Sequence, residues 1–318
     1  MAFDTLLSPV ILFFLLGVLA AAARSDLSIP EPLAKSLSLY LMASIGLKGG
    51  VQVSQAGFSA QLLQVSAAGM ALSFALPLLA FLLLRWFARL DQLNAGAVAA
   101  HYGSVSIVTF VTVSDVLTRS GMAPAGYLVA VMALMETPAV ITGLLLARGG
   151  GAVSTGQRGK LLREVLLNGS VVLLLGSFVI GMILGKERFA PVAPVFVTGF
   201  TGLLCLFLLD MGLIAMRRLR DSRALNWRLV VLGIAIPLAN GTIGLAVAAM
   251  MGLDPGTGAA FAMLAASASY IAVPAAVRLA MPDADPGIYL SMSLAVTFPF
   301  NILVGIPLVL QVAPRALG

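Results

Sequence analysis

The chain has 318 residues, 60% of them hydrophobic and only 10% charged, and its mean hydropathy is +1.05. A soluble domain of that size would have to bury nearly everything it has, so the composition excludes one and points to a polytopic helical membrane protein. The net charge of +6 reads as loop lysines and arginines obeying the positive-inside rule, which removes nucleic acid as a partner. Long apolar runs without period-two alternation exclude a β-barrel. A single cysteine, Cys205 in an apolar stretch, and a single histidine leave no disulfide framework and no transition-metal cluster.

In chain order the apolar runs predict ten spanning helices, near 6–23, 32–52, 61–84, 94–118, 126–147, 163–185, 191–215, 227–251, 256–280 and 287–312. Only Asp4 precedes the first run, which therefore reads as a retained helix rather than a signal peptide. Of the 19 Lys and Arg, fourteen fall in connections after odd-numbered helices; the other side has Lys48, Arg119, Lys186, Arg188 and Arg315. The bias places the odd connections in the cytoplasm and both termini outside, in the inner membrane of a bacterium. A Gly-rich run divides the chain into residues 1–148, a short cytoplasmic linker 149–162, and residues 163–318.

Five helices per half force opposite topologies on the two halves, the inverted-repeat plan of many secondary transporters. Internal matches agree with it. Ile45-Gly46-Leu47 recurs as Met211-Gly212-Leu213 and Ala99-Ala100 as Ala265-Ala266, both 166 residues on, while Glu136-Thr137-Pro138 meets Thr297-Phe298-Pro299 at an offset of 161. The stretches 99–109 and 265–274 place hydroxyls, a Tyr and a Pro inside spanning segments. Helices broken at membrane depth are tolerated where they line a protein cavity.

Intramembrane polar residues are costly and are functional candidates by default. Ser104, Ser106, Ser267 and Ser269 cluster at the two breaks, where half-helix N-termini would offer partial positive charge to a small anion such as bicarbonate or a carboxylate. Glu136, two residues before a Pro, could ligate a coupling cation, relay a proton, or bond a backbone group freed at the kink. Asp210 reads as an interhelical anchor, Asn240 and Asn301 as helix–helix glue, and His101 as a hydrogen-bonding residue beside the cavity. No nucleophile–base constellation or phosphate loop is present, so an enzyme is not expected.

The runs I-G-L-K-G-G (45–50), G-S-V-S (103–106), M-E-T-P (135–138), A-A-S-A-S-Y-I-A-V-P (265–274), P-D-A-D-P-G-I-Y (282–289) and F-P-F-N-I-L-V-G-I-P-L (298–308) resemble the sodium-dependent bicarbonate transporter superfamily, including its cyanobacterial symporters. The resemblance implies ten helices in two inverted five-helix repeats, with a core domain carrying both broken helices, a gate domain, and a homotrimer in the lipid bilayer. It implies that the anion is bound by Gly103, Ser104, Val105, Ser106, Ser267, Ala268, Ser269, Ile271, Ala272 and Val273. Na⁺ would be the coupling ion and no other cofactor is implied; its ligands would come from Ser267, Ser269, Tyr270, Glu136 and Thr109. A PII-like regulatory partner is known in the family, but the linker here is much shorter than in cyanobacterial members.

The chain departs from the family pattern at the site itself. Tyr270 replaces an acid, Ala272 a serine and Val273 a glycine, with Ile107-Val108 where the first repeat has G-S. A tyrosine cannot bring the charge of a carboxylate to Na⁺ at neutral pH. The expected function is therefore elevator-type, sodium-dependent uptake of a small anion, nominally bicarbonate. The alternatives are a proton-coupled or uncoupled transporter of another small solute, and a transport-incompetent sensor or scaffold.

Overall fold

The computed structural model describes residues 7–57, 60–148, 169–221 and 224–318. Among them every regular element is helical: α1 (Pro9–Ala22), α2 (Glu31–Ala56), α3 (Ala60–Trp86), α4 (Gln92–Gly103), α5 (Ile107–Arg119), α6 (Leu128–Ala147), α7 (Gly169–Phe189), α8 (Phe200–Asp221), α9 (Trp227–Met250), α10 (Pro255–Ala266), α11 (Ala272–Ala280) and α12 (Pro286–Leu317). The linker 149–162 and the start of the expected sixth span lie outside the described residues.

Among the described residues six segments are long and apolar enough to cross a membrane: α3, the α4–α5 pair, α6, α8, α9 and α12. The sequence predicts ten spans, and the others fall short for visible reasons. α1 is a short apolar helix, and α10 is short because the ninth span is cut at Ala266. α2 contains Glu31, Lys35 and Lys48, and α7, described from Gly169, is kinked at Gly185 before its last turn.

The helices sort by packing into two groups. In one, α1 lies along α8 and α2 along α7. Glycines make these contacts close: a Cβ on Gly17 would run into the Leu209 carbonyl, and one on Gly50 into the Phe178 carbonyl. Such backbone proximity is how small residues bind membrane helices together, where lipid supplies no hydrophobic drive. In the other group α3, α4 and α6 pack mutually, and α10 packs against α9 and α12.

The α4–α5 pair has the lowest mean hydropathy of the six candidate spans, 1.4, yet its membrane-length window is entirely buried. Polar backbone at that depth is enclosed by protein, as hydrocarbon requires. The outer helices α3, α7 and α9 instead turn Leu82, Ile183 and Val231 outward. Both tryptophans are exposed at helix ends, Trp86 closing α3 and Trp227 opening α9, the amphipathic placement of an interfacial belt.

Candidate functional site

The two broken helices begin alike. Asp91 caps α4 by accepting from the Asn94 N–H, and Asp254 caps α10 by accepting from the Thr257 N–H. Each helix runs 12 residues and stops at a serine in extended conformation, Ser104 and Ser267. Caps and stops thus correspond at an offset of 163 residues (254 − 91 and 267 − 104), not the 166 suggested by the Ala-Ala match. The three-residue error is most of a helical turn, and alanine pairs are too common in helices to fix a register.

The breaks meet directly. The Ser106 N–H donates to the Ser267 hydroxyl at 2.9 Å, and the Ser269 N–H donates to the His101 carbonyl at 3.0 Å. His101 Nδ1 donates in turn to the Ser269 carbonyl, so strand-like backbone from one break is clamped to the last turn before the other. In the neutral ring this leaves Nε2 as a buried acceptor without a partner. The ring stacks on Tyr289 with centroids 5.0 Å apart.

Within the first break Gly103 closes α4 where Pro77 and Ala139 leave no room for a Cβ. Val105 is buried, and the buried Ser104 hydroxyl has no hydrogen-bond partner. Ser106 is the N-cap of α5 and accepts from the Thr109 N–H, while the first two residues, Ile107 and Val108, keep N–H groups that helix geometry leaves unpaired. Within the second break Ser267 donates to the Leu264 carbonyl, Ala268 is buried, and the Ser269 hydroxyl accepts from the Val273 N–H at 3.5 Å. Val273 is buried too, whereas Ile271 is 38% exposed and stands apart from the other site residues. The Ala272 side chain lies outside those described. Tyr270 packs edge-on to Phe298, and its buried hydroxyl sits beside the Ser106 side chain.

Asn240 and Asn301 join helices as expected: Asn240 of α9 donates to the Tyr102 carbonyl near the end of α4, and Asn301 of α12 to the Ala266 carbonyl ending α10. Each amide thus satisfies a carbonyl that a broken helix cannot pair itself. Glu136 does not bond a freed backbone group at its kink. Ser73 does so, donating to the Met135 carbonyl and accepting from the Ala139 N–H, while both Glu136 oxygens are buried without partners. Among the described residues the Asp210 carboxylate makes no hydrogen bond or ion pair, and Arg217, on the same helix, is the opposite charge acting on it.

Sequence reasoning missed a second polar group. Lys48 lies inside α2 rather than in a connection, its ammonium 4.6 Å from the Phe200 ring centre. Asp115 of α5 accepts from Arg119 at 2.9 Å and from Thr201 of α8 at 2.8 Å. The lysine amid I-G-L-K-G-G carries that signal in the sequence, and grouping it with the loop charges hides it.

Interrupted helices closed around buried polar groups are a hallmark of membrane transporters. Residues 9–314 match the Na⁺-dependent bicarbonate transporter superfamily, and the chain belongs to that family. No match is found among curated proteins. Membership of a transporter family, with several apolar spans, makes this a multi-pass membrane protein.

Proposed function

We propose that the chain is a secondary transporter that carries a small anion, nominally bicarbonate coupled to Na⁺, by elevator-like movement of a core domain against a gate domain. The observation carrying this reading is the buried junction of the two breaks, where Ser104, Ser106, Ser267 and Ser269 converge with their helix termini. α1, α2, α7 and α8 would be the gate and the remaining helices the core. The Thr201–Asp115 hydrogen bond crosses that boundary, whereas those of Tyr40, Ser73, His101, Asn240 and Asn301 stay within one group.

The inverted repeat of two five-helix halves has support in paired contacts. Gly17 of α1 meets the α8 backbone as Gly181 of α7 meets that of α2, with the two broken helices capped alike. Cytoplasmic odd connections, both termini outside, the bacterial inner membrane and a homotrimer complete the reading. The short linker gives no support to a PII-like partner.

Uptake of labelled bicarbonate into proteoliposomes, with and without an inward sodium gradient, tests the function. Sodium-dependent flux supports it, flux without sodium dependence removes the Na⁺ coupling, and no flux of any small anion favours a sensor or scaffold. One observation favours proton coupling as a second reading: the buried Glu136 carboxylate has no hydrogen-bonding partner, and a proton would neutralise it. The triple change Tyr270→Asp, Ala272→Ser and Val273→Gly addresses the ion. If the site has been assigned correctly, it creates or tightens sodium dependence of anion binding; no change means the ligand assignment is wrong.

A further inference from the structure

A cleft of about 80 Å³ opens between α2, α5 and the start of α6, lined by Lys48, Gln52, Phe110, Ser114, Asp115 and Gly126 among others. It runs along α5 from Thr118 in the last turn to Phe110 in the first. At 1.5 Å per residue its inner end lies roughly 6 Å along the helix from the Ser106 cap, and so from the break.

Among the described residues Lys48 is the one cation lining the cleft, and the Asp115 carboxylate is the opposite charge acting on it. Asp115 is held by Arg119 and Thr201, whereas Lys48 makes no ion pair there and rests against the face of Phe200. An ammonium about two turns inside a 26-residue helix of a membrane protein is costly, and such a residue is by default a functional candidate. The buried Ser114 hydroxyl lines the same cleft without a hydrogen-bond partner. Pro124, Ala125 and Gly126 form the opposite wall just before α6 starts, adding the partial positive charge of a helix N-terminus. Lys48 and Asp115 are the charged residues of the lining, and Arg119, outside it, pairs with Asp115.

We propose that this cleft is an outer subsite for a small oxyanion, bicarbonate or a short carboxylate, held by the Lys48 ammonium and the Ser114 hydroxyl on its way to the helix breaks. The subsite deepens the anion-transport reading and rests on it, so its first test does not need transport. Gln52→Cys puts a thiol at the exposed mouth, and Cys205, the only other cysteine, is buried. Full-length protein in lipid vesicles is treated with methanethiosulfonates bearing either a sulfonate or an ammonium group.

The sulfonate reagent should react about 10-fold faster, the lower end of electrostatic focusing in a charged cleft. Millimolar bicarbonate or acetate should slow it. Both effects should vanish in Gln52→Cys with Lys48→Gln and persist with Lys48→Arg. Equal rates for the two reagents, or a preference that survives Lys48→Gln, overturns the subsite. In uptake assays Lys48→Gln alone should raise KM about 10-fold with kcat little changed, the signature of lost ground-state binding; an unchanged KM overturns the role in transport. Charge-selective labelling in a protein that carries no small anion would keep the subsite and sink the transport reading.

Discussion

At the scale of single residues, the decisive quantity is the cost of an unsatisfied polar group away from water. Asn240 and Asn301 each pair a carbonyl that a helix break orphans. Truncating either to Ala should cost about 1–3 kcal/mol, the penalty for stranding a buried acceptor, read as a lowered melting temperature of the purified protein. Glu136 sits at the opposite extreme, because its carboxylate has no hydrogen-bond partner to lose. Glu136→Gln should therefore leave the melting temperature unchanged or raised while abolishing ion-coupled uptake. A destabilised variant with normal uptake would return Glu136 to a structural role. None of these bonding assignments is legible in the chain. The sequence marks an Asn as expensive, but its partner lies on another helix, 138 residues away for Asn240 and Tyr102.

At the scale of helices, close backbone approach and planned interruption do the organising. Gly50→Ala would drive a methyl group into the Phe178 backbone, and overpacking of this kind should cost about 1–3 kcal/mol. Gly202 is the internal control, because a methyl group placed on it would meet nothing within 4 Å. Its replacement by Ala should stabilise by roughly 0.5–1 kcal/mol through helix propensity alone. Equal melting temperatures for the two variants would mean that the α2–α7 contact is looser than described. The interruptions themselves are legible, because serines and a proline inside apolar spans mark them. Their ends are not, because Ala-Ala repeats leave the register free over a turn. The caps Asp91 and Asp254 fix it.

At the scale of the molecule, two helix groups touch across a boundary where Asp115 and Thr201 form a cross-boundary hydrogen bond. If transport needs one group to slide past the other, a short bis-methanethiosulfonate bridge between Asp115→Cys and Thr201→Cys should stop uptake, and reduction should restore it to the level of the unbridged double variant. Full uptake in the bridged protein would exclude sliding at this boundary. The short α10, which by composition reads as part of a full ninth span, shows the same scale at work. Its polar end can exist in a membrane only because α9 and α12 cover it.

The helical membrane class, the family and the place of both breaks could be read from the chain alone, since they depend on local composition and on motifs within one segment. Three facts needed the packed helices: the two breaks are bonded to each other, Ser73 rather than Glu136 serves the Pro138 kink, and Lys48 faces a cleft rather than a loop. They depend on which helix faces which, and apolar helices that all read alike carry almost no record of their neighbours.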